Sequence, residues 1–436
     1  MHPTFSRREI LRIGGLSILA GASGGALRAG TRLRSERSCI FLLLQGGPSH
    51  IDLWDPKPDA PREVRGPFGT IPTRVSGLCF GELLHRSAAI ADRLCVVRSV
   101  THQFTNHIAG TYITLTGSTN QPDQDREAHG DDFPGPGAIL NALPGGDPTV
   151  PRSVSLPNWL SIPGPSNRMP GQYGGFLGSL RDPFLIEGEP GAPDFNPLSL
   201  SMPEGLSPGR LGHRLRLLDE LNKLERRLEA ELVERQDHLR RSAYELVVSG
   251  VLRKALQLSQ ESEATRDRYG RSKVGQSLLL ARRLIEAGVE LVSYNDFNQK
   301  WDTHGNLLAR YRDIIPPMDQ AYTALVEDLG QRGLLESTLV IQAGEFGRTP
   351  RMNNQNGRDH WPNVYSVVLA GGGVRGGQVH GASDSLGSEV KSQAVSPADI
   401  LATLWHQLGV APSTEIHDRL NRPFPISTGR VLYELL

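Results

Sequence analysis

The chain has 436 residues, enough for one large domain or two small ones. Lys plus Arg and Asp plus Glu are each 47, so the formal charge is zero, without the basic excess of a general nucleic-acid or membrane-surface binder. Aromatics make up only 6%, while 48 Gly and 31 Pro predict long stretches of loop and turn.

The N-terminal stretch SRREILRIGGLSILAGASGGALRAG pairs Arg7 with Arg8 and follows them with a short apolar run broken by Gly and Ser. This pattern reads as a twin-arginine export signal over residues 1–30, and the run is short for a membrane span. The expected location is periplasmic or secreted, after handling by the twin-arginine export machinery, with no stable membrane span once the signal is removed. Cys39, Cys79 and Cys95 have no CxxC spacing, so no thiolate metal site is expected; one disulfide and one free thiol would suit an oxidising compartment.

From residue 31 on, apolar runs ending in Gly or a polar group recur in chain order. CIFLLLQGG (39–47), LCVVRSV (94–100), GVELVSY (288–294), TLVIQAG (338–344) and YSVVLAGGG (365–373) each read as a buried parallel strand. Helical patterns precede two of them, SLLLARRLIEAG at 277–288 and MDQAYTALVEDLGQRG at 318–333. Strands alternating with helices predict an α/β fold with a doubly wound, mostly parallel sheet over residues 31–436. Residues 117–208 are rich in Pro, Gly, Asp and Asn and read as a loop-rich cap. Residues 209–268 are strongly charged, with leucines at helical spacing from Leu211 to Leu232, and read as a helical insertion.

Ligands of open α/β sheets bind beyond the carboxyl ends of the strands. Gln45, His50, Asp52 and Asp55 follow the first strand. His102, Asn106 and His107 follow the second. Asn295, Asp296, Asp302 and His304 follow the third, and Glu345, Arg348, Asp359 and His360 the fourth. Asp302 and His304 stand two apart in WDTHGN, so an extended loop puts both on one side. An Asp–His pair joined by a distant carboxylate and a distant imidazole is how oxygen/nitrogen metal sites are assembled. Taken singly, each residue has a plainer role: Asp302 could cap a helix, and Glu345 could pair with Arg348 or Arg351. Their convergence from separate strand ends points to a metal site.

These segments resemble the alkaline phosphatase–sulfatase superfamily, and more closely its sulfatase-like DUF1501 branch, over nearly the whole chain. FLLLQGGPSHIDLWDPKP resembles that branch's opening motif, and NHIAGTYITLTG the segment that carries the superfamily nucleophile. WDTHGN and GEFGRTPR…GRDHWP are similar to its metal-binding loops. The resemblance implies an exported metal-dependent hydrolase of a sulfate or phosphate ester, small or attached to a glycan. The alternative is a catalytically retired protein that binds a metal or glycan.

By the same likeness Asp302, His304, Glu345 and His360 would hold a divalent ion such as zinc, calcium or manganese. Arg348 would stabilise charge on the transferring group, and His107 would be general base or nucleophile. Three departures stand out. Gln45 replaces the first-strand carboxylate, Glu345-Phe346 replaces an Asp-His pair, and no Cys/Ser-x-Pro-x-Arg signature is present for formylglycine. A second ion would need His50, Asp52 or His107. For the export signal, replacing Arg7 and Arg8 together with Lys is expected to leave the precursor inside the cell; unchanged export of that variant would contradict the twin-arginine reading.

Overall fold

The computed structural model of the protein describes residues 37–162, 168–193, 195, 250–296 and 299–436. The expected signal at 1–30 and residues 209–249 of the expected helical insertion lie outside the described residues. Eight strands form the central sheet: β1 (Ser38–Leu44), β2 (Leu94–Val100), β3 (Ser153–Leu156), β4 (Phe184–Leu185), β5 (Leu291–Asp296), β6 (Thr338–Ala343), β7 (Tyr365–Ala370) and β8 (Gln378–His380). Their order across the sheet is β8-β2-β7-β6-β1-β5-β3-β4. All pairings are parallel except those of β7, which runs against both β2 and β6. The expected mostly parallel α/β sheet is therefore present, with one strand reversed.

The sheet is covered on both faces, and β1 shows why its sequence is a continuous apolar run. Every residue of SCIFLLL is buried. Ile40, Leu42 and Leu44 enter one core, with residues of the helices α2 (Lys273–Ala287) and α3 (Leu307–Gln331). Cys39, Phe41 and Leu43 enter the opposite core, with residues of α1 (His107–Thr116) and α4 (Pro397–Gln407). Alternate side chains of a strand point to opposite faces, so a strand sandwiched between two helical layers must be apolar at every position.

The helices begin where local chemistry lets them. Ser272 caps α2 by accepting the Gly275 N–H, and Gly288 ends it at φ 104°. Ser396 and Asp399 form a reciprocal capping box on α4, with Pro397 in the first turn. The helix read from 318–333 is the second half of α3, which starts at Leu307, so Asp302 is not its cap.

Two expectations change. Residues 117–208 are more than a cap, because Ser153–Leu156 and Phe184–Leu185 extend the central sheet beyond β5. The short runs SVSL and FL, set among Pro, Gly and Asp, have too little length to register as strands in sequence. Cys39, Cys79 and Cys95 are all unpaired, and the first and last are buried in the sheet. No helix among the described residues is long and apolar enough to cross a membrane.

The polar loops at the carboxyl edge are tied together by a buried ion pair. Arg358 donates to Asp52 through Nε (2.7 Å to Oδ2) and Nη2 (3.2 Å to Oδ1), and both side chains are fully buried. Arg358 also donates to the carbonyls of Val64, Thr349 and Pro350, while Ser49 Oγ donates to Asp52. This joins the loop after β1 to the loop before β7. Removing one partner leaves the other charge buried and uncompensated. Asp52→Ala is therefore expected to lower unfolding free energy by about 3–5 kcal/mol in urea denaturation; a change below about 1 kcal/mol would show that the pair does not hold these loops.

Candidate metal centre

The loops after β2, β5 and β6 meet at one edge of the sheet. Because β7 runs backwards, the chain that enters it also starts from this edge and brings His360 just ahead of Tyr365. His107, Asp302 and His360 there place one ligand atom each within 4.8 Å of one another. His304 adjoins them, with Nε2 3.1 Å from Asp302 Oδ1 and 2.9 Å from His360 Nε2.

Each imidazole is held from behind at Nδ1. His107 donates to Glu345 Oε1 at 2.6 Å, and His304 donates to Asp359 Oδ1 at 2.7 Å. His360 donates to the Thr105 carbonyl at 2.6 Å. Carboxylates and carbonyls only accept, so in the neutral rings the single proton sits on Nδ1 and every Nε2 carries a bare lone pair. These lone pairs point inward. His304 and His360 face each other Nε2 to Nε2, and His107 Nε2 lies 3.4 Å from Asp302 Oδ2 with no hydrogen-bond donor of its own. With the rings neutral these inward-facing groups are all acceptors, and a proton or a metal ion between them would satisfy them.

Its electrostatics agree. Burial lowers the proton affinity of His107, but hydrogen bonds to Asp302 and Glu345 more than offset this and push its pKa up to about 9. Without an ion, Nε2 therefore carries a proton facing Asp302 at neutral pH, and a metal ion would take that proton's place. Burial works against charge on Asp302 too, yet His107, His360 and Arg348 hold its carboxyl far below the usual carboxylate range. Burial is the first cause that holds His360 below the ordinary imidazole value, which favours the neutral ring. The site is open to solvent on one side, where the His304 side chain is 43% exposed.

Glu345 and Arg348 sit differently from what the sequence suggests. Glu345 is fully buried and both its oxygens are occupied: Oε1 accepts from Gly46 N at 2.8 Å and from His107, and Oε2 accepts from Gly47 N at 3.1 Å. It stands behind His107 and leaves no oxygen to face an ion directly. Arg348 is also fully buried. Nε donates to Gly47 O at 2.8 Å, Nη1 to Arg358 O at 3.1 Å, and Nη2 to Gly46 O and to Asp302 Oδ1, the last at 2.7 Å. Its guanidinium is committed to the backbone and to Asp302, not presented to an incoming anion.

The Gly46-Gly47 turn is thus a hub, its N–H groups holding Glu345 and its carbonyls holding Arg348. Gly46 has φ 116°, and a Cβ there would lie 2.3 Å from Asp302 N, so only glycine fits. Gly110 plays a similar part on α1, since a Cβ would press on Glu345 O at 3.1 Å. It lets the helix approach until His107, its first residue, reaches Glu345.

The alternative ligands for a second ion are used elsewhere. Asp52 is engaged by Arg358, and His50 Nε2 donates to Gly387 O at 2.9 Å. Gln45 Nε2 donates to Ser161 O at 3.0 Å and contacts Met169 Sδ at 2.9 Å. Phe346 stacks on the His360 ring, centroids 4.5 Å apart, and flanks His107 at 5.1 Å. Asp359, which backs His304, was not among the ligands expected from the sequence, and Thr105 carries no side-chain signal because its contribution is a backbone carbonyl. His102 also stands behind the site: Nε2 donates to Glu345 O at 2.5 Å, and burial pulls its pKa down to about 4.

Comparison with known proteins adds a family. No curated protein matches the sequence. Among solved structures, the PsFucS1 sulfatase from Pseudoalteromonas sp. is 12% identical, covering 86% of this chain and 68% of its own, with a TM-score of 0.40. The lipoteichoic acid synthase LtaP from Listeria monocytogenes is 7% identical, covering 97% and 80%, with a TM-score of 0.38. The phosphonate monoester hydrolase of Agrobacterium radiobacter is 12% identical, covering 92% and 77%, with a TM-score of 0.34. Likeness this distant transfers no substrate and no site to the present chain. The family model described as "Protein of unknown function (DUF1501)" matches residues 36–436, and the chain belongs to this family.

Proposed function

We propose that the chain is an exported metal-dependent hydrolase of anionic esters, sulfate or phosphate, on a sulfatase-like scaffold. The observation that carries the metal is the 2.9 Å approach of two Nε2 atoms whose Nδ1 protons are both committed, beside Asp302 and His107. In this reading His107, Asp302 and His360 are the ligands, with His304 as the fourth. Glu345, Asp359 and the Thr105 carbonyl orient the rings, as partners of metal-bound imidazoles do.

His107 then serves as a ligand in place of the base or nucleophile expected from its position on α1. Glu345 serves as its support, and Arg348 holds Asp302 charged and in place. Three imidazoles and one carboxylate suit zinc or manganese better than calcium, which prefers oxygen. Such an ion would polarise an ester oxygen and lower the pKa of water.

The residue likeness to metal loops of the alkaline phosphatase–sulfatase superfamily supports ester hydrolysis, and the paired Arg7 and Arg8 support export. One observation favours the second reading, a metal- or glycan-binding protein without turnover: the guanidinium expected to clamp the anion is buried and spent on the backbone.

The test begins with metal analysis of the exported protein, followed by aryl sulfates and phosphates as substrates. One divalent ion per chain is expected, and Asp302→Ala and His360→Ala should lose it. Glu345→Gln should weaken metal affinity about 10- to 100-fold, the usual range for a partner of a ligand. Full stoichiometric metal in folded Asp302→Ala and His360→Ala would overturn the assignment. A metal-loaded wild type that hydrolyses no ester would leave the binding reading in its place.

A further inference from the structure

His107 and His304 are each backed by a carboxylate, whereas His360 is backed only by the Thr105 carbonyl. That carbonyl belongs to the same peptide unit as the Asn106 N–H. A trans peptide is planar, with C=O and N–H pointing in opposite directions, so fixing one end fixes the other. The Asn106 N–H donates to Asp123 Oδ1 at 2.9 Å. Asp123 also accepts from Thr105 N at 3.1 Å on both oxygens, and from Thr105 Oγ1 at 2.9 Å.

We propose that Asp123 is a positioning residue of the metal centre, acting on His360 through the Thr105–Asn106 peptide. The proposal rests on the reading that the imidazole cluster takes a metal ion. The chain runs carboxylate, peptide N–H, peptide C=O, Nδ1–H of His360, Nε2. Each hydrogen bond polarises the next, so the negative charge of Asp123 strengthens the carbonyl as an acceptor and, through it, Nε2 as a donor to a metal.

The same contact reaches His107. Asn106 caps α1 by accepting from Ile108 N at 2.8 Å and Ala109 N at 3.3 Å, and its Nδ2 donates to Asp125 Oδ1 at 2.7 Å. Holding Asn106 therefore fixes the helix start on which His107 stands. With Asp123 included, all three imidazoles have a carboxylate behind them, two directly and one through a peptide.

The experiment compares wild type with Asp123→Asn and Asp123→Ala. Zinc affinity is measured by competition with a chromophoric chelator, and the visible spectrum is recorded with cobalt in place of zinc. The Asn variant keeps the size and one acceptor but removes the charge. Its zinc affinity should fall about tenfold, the lower end of the range for partners of metal ligands. The cobalt spectrum should shift, while the urea midpoint of the metal-free protein stays unchanged. Unchanged zinc affinity and cobalt spectrum in Asp123→Asn would overturn the proposal. So would a loss of affinity matched by an equal loss of metal-free stability, which would make Asp123 a general loop anchor. A wild type that takes up neither zinc nor cobalt would overturn the metal reading itself, a result distinct from equal binding by wild type and variant.

Discussion

A neutral imidazole has one proton to place. When the outer nitrogen must give it to an acceptor, the inner nitrogen is left with a lone pair that only a donor or a cation can satisfy. In this protein three rings are under that constraint at once, and their lone pairs converge on a carboxylate. Much of the surrounding architecture serves to hold the acceptors together against their mutual repulsion. The Gly46-Gly47 turn, the close approach of α1 and the Asp52–Arg358 pair bring the loops to one point. The reversed strand β7 lets a loop at its start join loops at the ends of parallel strands.

Arg348 shows how charge is distributed within this arrangement. It places a permanent cation on Asp302 Oδ1, while His107 faces Oδ2. Asp302 stays ionised despite partial burial, and both its oxygens face imidazoles, Oδ1 those of His304 and His360 and Oδ2 that of His107. The guanidinium does this from inside the fold, with its other donors on backbone carbonyls, so it leaves the open side of the site clear. A site arranged in this way is well suited to holding a cation. What it could offer an anion would come from such a cation more than from the protein's own positive charge.

The five long strands were legible because burial on both faces leaves an uninterrupted apolar run, and strand ends are where polar groups of an α/β sheet collect. Asp302, His304 and His360 could be picked out for the same reason. The proposed division of labour between ligand and support could not. Glu345 is as good a ligand as Asp302 on paper, and only the Gly46 and Gly47 N–H groups, nearly 300 positions away in the chain, turn its oxygens inward. His107 was placed at the start of α1, but which ring nitrogen faces the site depends on Glu345, and that choice separates a ligand from a base. The contribution of Thr105 is a backbone carbonyl and carries no side-chain signal. β3 and β4 escaped notice because two to four residues among Pro and Gly have no measurable period.

The central claim is that imidazole Nε2 atoms and Asp302 together hold one divalent ion. X-ray absorption spectroscopy of the zinc-loaded protein tests it most directly, because imidazole rings give a distinctive multiple-scattering pattern beyond the first shell. The account predicts a nitrogen/oxygen shell at about 2.0–2.1 Å with the outer-shell signature of several imidazoles and no sulfur at about 2.3 Å. A shell of oxygens alone, or one in which the imidazole signature persists unchanged in His304→Ala and His360→Ala combined, would contradict it.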